Sequence, residues 1–512
     1  MAQPVSDLGS GGFTPDPPSV MLPPNVFSDV LNVRFDDSSV STTTGEILSR
    51  TVAIIPDYGI HWRRPDQGYN IFAKDGNIVR VNAAGGVSTM FTGGAPYVGA
   101  DWQGCTFNGG FAIILNDGVN TPLYCLYGDP SAGSSFQPLP NWNYIGGLTV
   151  TAKVIRSLNY SLVAANLKLV SGGVTTYAPG TIRVSVQAAT GSIPTVWQPG
   201  LTTDTADEFE ISSTSPVLDM LTLRGNMFVY SSDSISMLSI AGTTRVAPYS
   251  NTYGILNTDC VVEYDGNHFV VDRNDIYAHN GSGQITSLAE GRVKKWFFRN
   301  LNQAAINKVV VVKNPQYKEI WICFPMGSST SNNMALVFNF ASKTWTKRTL
   351  GNTTYVFNGP ANVSNAWQYG KERLYMTTTG TQTLQTDDVY TMWDGTALAG
   401  YSSYVERLKL NVGDPSHNMV ISSLYPLFDR VPSTAAITIR VIGQNNYTKD
   451  YDLSVDNGGL EDTFTIYPTA ENNQSYKVDP RVSGRLINYR ITSTDYWRIP
   501  TLYIDAKPTA RR

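Results

Sequence analysis

CVVEYDGNHFVVDRNDIYAHNGSGQITSLAEGRVKKWFFRNL, residues 260–301, decides the fold. An apolar run from Cys260 turns at Asp265-Gly266-Asn267 and returns through His268-Phe269-Val270-Val271. The chain turns again at Asp272-Arg273-Asn274-Asp275, runs through Ile276-Tyr277-Ala278, and meets another turn at His279-Asn280-Gly281-Ser282-Gly283. Short strands separated by tight Asn/Asp/Gly turns predict an antiparallel meander, the unit of all-β sheets.

Related units lie on both sides. Residues 69–91 form a hairpin about Asp75-Gly76-Asn77, and 105–127 repeat the scheme with Asn108-Gly109-Gly110 and Asn116-Asp117-Gly118. Further units fall at 151–188, 219–242, 307–347 and 366–395. A spacing of ~40–50 residues between equivalent turns is that of propeller blades rather than helical solenoids. The expected fold is an all-β, six-bladed β-propeller, with seven blades the alternative because 144–218 is longer than the other units. Propellers close by pairing an N-terminal strand into the last blade, and 28–35 or 47–55 can supply it.

The flanks differ. Residues 1–24 are rich in Pro, Gly and Ser without apolar periodicity, and predict an extended N-terminal arm, disordered or laid across a neighbour. Residues 25–399 are assigned to the propeller with N-terminal lead-in strands. From 400 to 512, Ile437, Ile439 and Val441 alternate with polar residues, as do Ile487, Tyr489 and Ile491, and Leu502 and Ile504. Period-2 patterning of this kind predicts an added C-terminal antiparallel β-sandwich with one solvated face. The best helix candidate, Gln303–Lys308, is one or two turns.

Composition narrows the function. Charged residues make up only 15% of the 512, with a formal net charge of −3, so the surface is polar but uncharged and inexpensive to desolvate in an assembly. There is no polybasic run to neutralise phosphates, which argues against specific DNA binding. Cys105, Cys125, Cys260 and Cys323 never reach CxxC spacing, so buried free thiols in a reducing compartment are expected, with no metal or cofactor. The N-terminus has neither a basic n-region nor an apolar h-region, and no stretch approaches a bilayer span, so a soluble chain made in a cytoplasm, without membrane insertion, is expected.

Catalytic constellations are weak. Glycoside hydrolysis needs two carboxylates across a scissile bond, but Asp36-Asp37, Asp387-Asp388 and Glu461-Asp462 are adjacent pairs, which point to opposite faces of a strand. Ala341-Ser342-Lys343-Thr344-Trp345 lacks the Asp and Gly of a sialidase Asp-box. Asp272-Arg273-Asn274-Asp275 and Asp265-Gly266-Asn267 offer oxygens to Ca²⁺ without EF-hand spacing, and are read as turns. Trp62 beside Arg63-Arg64, and Trp296-Phe297-Phe298 after Lys294-Lys295, are read as core aromatics under snorkelling cations rather than base-stacking platforms. No catalytic residue is assigned, and the chain is expected not to be an enzyme.

Five segments carry a family resemblance: LPPNVFSDVLNVRFDDSSV at 22–40, NDIYAHNGSGQITSLAEGRVKKWFF at 274–298, KEIWICFP at 318–325, LVFNFASKTWTKR at 336–348, and GRLINYRITSTDYWRIPTLYIDAKPTARR at 484–512. In this order they resemble the nozzle (tail-tube, stopper or packaged-DNA-stabilising) structural proteins of short-tailed bacteriophages. The resemblance implies a virion tail protein assembled in the bacterial host cytoplasm as a homohexameric ring. Such a ring would join the head-to-tail adaptor protein, contact tail fibres or spikes, and hold and release the genome, with DNA passing non-specifically through its lumen. The alternative is a receptor- or polysaccharide-binding propeller, glycan-cleaving in its extreme form. A conduit of this kind would have near-neutral or acidic lumen loops, which repel phosphate, and would open by rearrangement rather than hydrolysis.

Overall fold

The computed structural model describes residues 3–64, 67–128, 136–143, 145–199, 206–211, 215–241, 243–386, 389–393, 398–413, 417–432, 434–468 and 477–511. The described chain is all-β, with α-helices only at Leu8–Gly11 and Lys294–Asn300 and a few 3₁₀ turns. Five four-stranded meanders follow one another: blade 1 begins at strand Tyr58–Arg63, blade 2 at Gln103–Phe107, blade 3 at Leu148–Leu158, blade 4 at Val217–Leu223 and blade 5 at Val261–Tyr264. The turns fall where the sequence places them. Between strands Val261–Tyr264 and Asn267–Val271, Asp265 and Gly266 both take positive φ (51° and 69°), the geometry that Asp-Gly serves in a tight hairpin.

The last sheet has seven strands, and strand Thr344–Val363 explains why. Its first half pairs with Asn332–Asn339 and completes blade 6, which starts at Val310–Asn314. After a register shift between Thr353 and Tyr355, its second half pairs with Ala366–Thr378 and becomes the inner strand of a further blade. That blade ends with Gln382–Thr386 paired to the N-terminal strand Glu46–Thr51, which closes the ring. Six is therefore the number of propeller sheets, and seven the number of blades. The extra blade does not come from 144–218. It arises because one strand runs through two blades without a turn, and a turn is the mark by which sequence counts blades.

Cores lie as wedges between neighbouring blades. Trp62, Ile71 and Trp102 meet Ile113 and Leu115 between blades 1 and 2, and Phe72, Val79 and Val81 meet Phe357 and Tyr375 where blade 7 meets blade 1. This follows from alternation: every second residue of a twisted blade faces each neighbour. Gly59 lets blade 7 close in, since a Cβ there would lie 2.5 Å from Phe357 Cε1.

The C-terminal domain is a sandwich. One sheet orders Asp29–Leu31, Ser403–Leu410, Leu486–Ser493, Ile437–Gln444 and Glu461–Ile466; the other orders Gln3–Val5, Thr501–Arg511, His417–Leu427 and Ser483–Gly484. Ile437, Ile439, Val441, Tyr489 and Ile491 bury against Ile421, Leu424, Leu502 and Ile504. The expected boundaries shift accordingly. Residues 3–5 and 29–31 are sandwich strands, Val33–Asp36 and Ser39–Thr42 join Arg498–Ile499 in a third small sheet, and the propeller begins at Glu46.

The N-terminal arm lies on its own chain rather than on a neighbour. Val5, Leu8 and Phe13 are buried in the core that the sandwich shares with blades 4–6. Asp16 reaches helix Lys294–Asn300, accepting from Lys295 N (2.8 Å) and Trp296 N (2.9 Å). That helix was not expected, because its cap is far away in sequence; Gln303–Lys308 is a 3₁₀ element. Phe297 is fully buried and Trp296 stacks edge-on with Phe13, so this aromatic run is core.

Candidate functional site

The inner strands of all seven blades surround a central channel of about 490 Å³. Its central charged groups are Arg156 near the end of Leu148–Leu158, Asp219 within Val217–Leu223 and Asp259 just ahead of Val261–Tyr264. Arg156 of blade 3 donates to Gln103 Oε1 of blade 2 (2.5 Å), to Ile155 O (3.1 Å), and to Asp219 Oδ1 of blade 4 (2.7 Å). Its Nη2 also lies 3.5 Å from Asp259 Oδ1, just ahead of blade 5. Asp219 accepts the backbone N–H of Met220 (2.7 Å) and of Asp259 (2.9 Å). Tyr355 of blade 7 lies beside Asp259 and packs its ring 5.0 Å from that of Tyr58 in blade 1. One guanidinium thus ties blades 2 to 5, and two tyrosines tie the group to the closure seam.

The electrostatics follow from burial. Desolvation, then the charge of Asp219, push the Asp259 carboxyl up to about 7, against the pull of Arg156. Burial disfavours the Arg156 charge, but Asp219 and Asp259 outweigh it and hold the guanidinium above its ordinary value. Burial also pushes the Cys105 thiol up to about 11 and raises both tyrosine hydroxyls. Cys105 is no thiolate nucleophile near neutral pH. The two carboxylates share one guanidinium nitrogen, which occupies the gap that a glycosidic oxygen and its water would need.

Sequence reasoning missed this group. Its signal is an aspartate near the start of an inner strand in several units: Asp57, Asp101 and Asp259 lie one or two residues ahead of theirs, and Asp219 is the third residue of Val217–Leu223. Asp57 pairs with Lys74 (2.6 Å) and Asp101 with Lys153 (2.5 Å), which leaves the other two to Arg156.

The residues weighed from sequence lie elsewhere and apart. Asp36-Asp37 is at the turn between Val33–Asp36 and Ser39–Thr42, where Asp37 is left-handed (φ 45°). Asp387-Asp388 lies outside the described residues. Glu461 and Asp462 start an edge strand and accept from Asn457 N and Arg481 N. Asp272 and Asp275 accept from Arg273 N (2.6 Å) and Ile276 N (2.9 Å), which is turn duty. Trp62 is fully buried and donates to Gly110 O (2.9 Å), with the Arg64 guanidinium 5.2 Å over its ring.

A second polar cluster is structural. Tyr230 OH lies 2.7 Å from both His268 Nδ1 and His279 Nε2, and His268 Nε2 is 3.1 Å from Thr222 O. A carbonyl only accepts, so Nε2 of His268 carries its proton and Nδ1 accepts from Tyr230, leaving His279 to donate to the phenol oxygen. Both rings are neutral: burial lowers His268 to about 4, and burial with the neighbouring His268 lowers His279 to about 3. Burial likewise lowers His61 to about 4.

These shifts set a pH prediction. The three histidines contribute stability that is present above their unfolded value and lost as pH falls toward 4. Asp259 and Glu406, both raised to about 7, contribute stability that is present at low pH and lost as pH rises through 7. The opposing terms partly cancel in the wild-type chain. In an Asp259→Asn/Glu406→Gln chain the histidines meet less opposition, and the slope near pH 5.5 steepens by about 2–3 kcal/mol per pH unit. Urea unfolding at pH 5, 6 and 7 reads both slopes; equal slopes would refute the assignment.

No family model matches the chain, and no curated protein does. Among solved structures it is similar to PorZ, a bacterial surface component of the type-IX secretion system of Porphyromonas gingivalis, at 9% identity and a TM-score of 0.37, covering 74% of this chain and 44% of that one. It is also similar to Chaetomium thermophilum Raptor, at 11% identity and a TM-score of 0.40, covering 67% of this chain and 29% of that one. The chain spans less than half the length of either, and likeness at this level carries no functional information.

Proposed function

We propose that the chain is a virion structural protein, the subunit of a nozzle ring at the end of a short bacteriophage tail, acting as conduit and gate rather than as an enzyme. The observation that supports this most is where the resembling segments meet. Asn32, in Asn-Val-Arg-Phe, donates to Ser402 O (2.8 Å) and accepts from Thr349 N (2.9 Å). Arg34 pairs with Glu319 of KEIWICFP (2.5 Å) and lies 3.5 Å over Tyr317. Thr346, in the Thr-Trp-Thr-Lys-Arg segment, donates to Val33 O (2.7 Å), and Arg498 of the C-terminal segment donates to Ser39 Oγ (2.6 Å).

Segments spread over nearly the whole chain thus make one seam between propeller and sandwich, which locks the two into a single block. A rigid block with a polar, weakly charged surface suits a ring subunit that carries load during genome retention. Arg156, Asp219 and Asp259 in the channel serve as a staple between blades, which favours a structural role over glycan cleavage.

The test is light scattering with negative-stain imaging of the purified full chain over a concentration series, beside an assay for reducing ends released from host surface polysaccharide. A holed ring of six chains without cleavage is expected. A chain that stays monomeric and releases reducing ends would overturn the proposal.

A further inference from the structure

We propose that the propeller channel is a binding site for a slender organic ammonium ion, held by the Asp259 carboxylate, the Tyr58 hydroxyl and the ring of Tyr355. This inference is independent of the nozzle reading and rests on three observations at one place.

The charge there is not balanced. Arg156 is committed to Asp219, Gln103 and Ile155 O at 2.5–3.1 Å, and its contact with Asp259 is long at 3.5 Å. Two carboxylates against one guanidinium leave one negative charge, and Asp259 carries it. The other charges nearby are already engaged: Lys153 by Asp101, Lys74 by Asp57, and Lys313, which also lines the channel, by Glu263 at 3.8 Å, with Lys308 also acting on Asp57.

The undercompensated carboxyl faces space. Asp259 lies deep in the molecule yet keeps 23% of its side chain accessible, against 3% for Asp219. What it faces is the channel of about 490 Å³, much larger than a water molecule.

A polar group opens to the channel without a protein partner. Tyr58 is 3% exposed as a residue and lines the channel, and its hydroxyl makes no hydrogen bond among the described residues, so its oxygen is free to meet a ligand. A carboxylate, a free phenol oxygen and an aromatic ring are the groups that recognise an ammonium: acceptors for its N–H bonds and a π-cloud for its charge. A flexible primary amine fits better than a metal ion, since no three carboxylate, thiol or imidazole groups among the described residues converge.

Binding is linked to a proton. The carboxyl of Asp259, pushed up to about 7, is largely protonated at pH 6. An ammonium ion therefore displaces that proton to solvent as the carboxylate forms. The charged and titratable groups facing Asp259 are Arg156, Asp219, Asp101, Tyr58 and Tyr355.

Isothermal titration of the full chain with butane-1,4-diamine hydrochloride tests this, beside tetramethylammonium chloride and sodium chloride at matched ionic strength. Expected are saturable heat with the diamine only, release of one proton judged from two buffers of different ionisation enthalpy, and affinity rising about fivefold from pH 6 to 7. Asp259→Asn should weaken binding at least tenfold and abolish the proton release, and Tyr58→Phe should weaken it severalfold with an unchanged melting curve. Equal heats with sodium chloride would overturn the proposal, as would wild-type affinity in either variant.

Discussion

Replacing Arg156 with methionine is expected to destabilise the folded chain by about 3–5 kcal/mol at pH 7, the cost of leaving a buried charge without its partner. Methionine keeps most of the side-chain volume, so the loss reads charge rather than a cavity. Asp219 is almost wholly enclosed and would face Asp259 with only backbone N–H groups and Tyr355 to compensate either carboxylate. Adding Asp219→Asn and Asp259→Asn to Arg156→Met should restore most of the loss, because a neutral cluster needs no cation. Urea unfolding followed by tryptophan fluorescence measures both variants. A loss under about 1 kcal/mol in the single variant, the size of an exposed ion pair, would mean that the group does not hold the blades together.

Arg348→Met should cost about as much, roughly 3–5 kcal/mol at pH 8, and its loss should depend on pH. Arg348 and Glu46 are each about 2% exposed and in direct contact. The pair joins the outer strand of blade 6 to the strand that closes blade 7. Burial already raises the Glu46 carboxyl despite the lowering by Arg348, and removing the guanidinium raises it further. A carboxyl raised in the folded state favours folding at low pH and loses that contribution as pH rises through its folded value. The variant should therefore lose less at pH 5 than at pH 8. The loss in Arg348→Met/Glu46→Gln should differ far less between pH 5 and pH 8 than the loss in Arg348→Met. Equal losses for Arg348→Met at pH 5 and pH 8 would show that Glu46 does not carry the unpaired charge.

How much of this was legible depends on the range of the interaction. The meander of 260–301 was readable because hairpin turns are local: Asp265-Gly266 takes its backbone geometry from two residues. Strand alternation in the sandwich was readable for the same reason, since Ile437, Ile439 and Val441 need only a period of two to be buried together. Blade 7 was harder. Its inner strand is the continuation of Thr344–Val363 and its outer strand comes from residues 46–51, so no local signal separates it. The channel group was not read at all, although aspartates recur near the starts of the inner strands. Aspartate at a strand start is ordinarily a turn residue, and only the ring brings Arg156 within reach of residues 219 and 259.

The sequence by itself determined an all-β chain of repeated antiparallel meanders with a sandwich after it, because strands and turns are set by neighbours a few residues apart. Tertiary structure alone decided that residues 3–5 and 29–31 belong to the sandwich, that six sheets make seven blades, and that Arg34 meets Glu319 and Arg156 meets Asp219 and Asp259. Those pairings join residues 63 to 285 positions apart, and they form only when apolar faces pack blade against blade and draw the polar groups between them out of water.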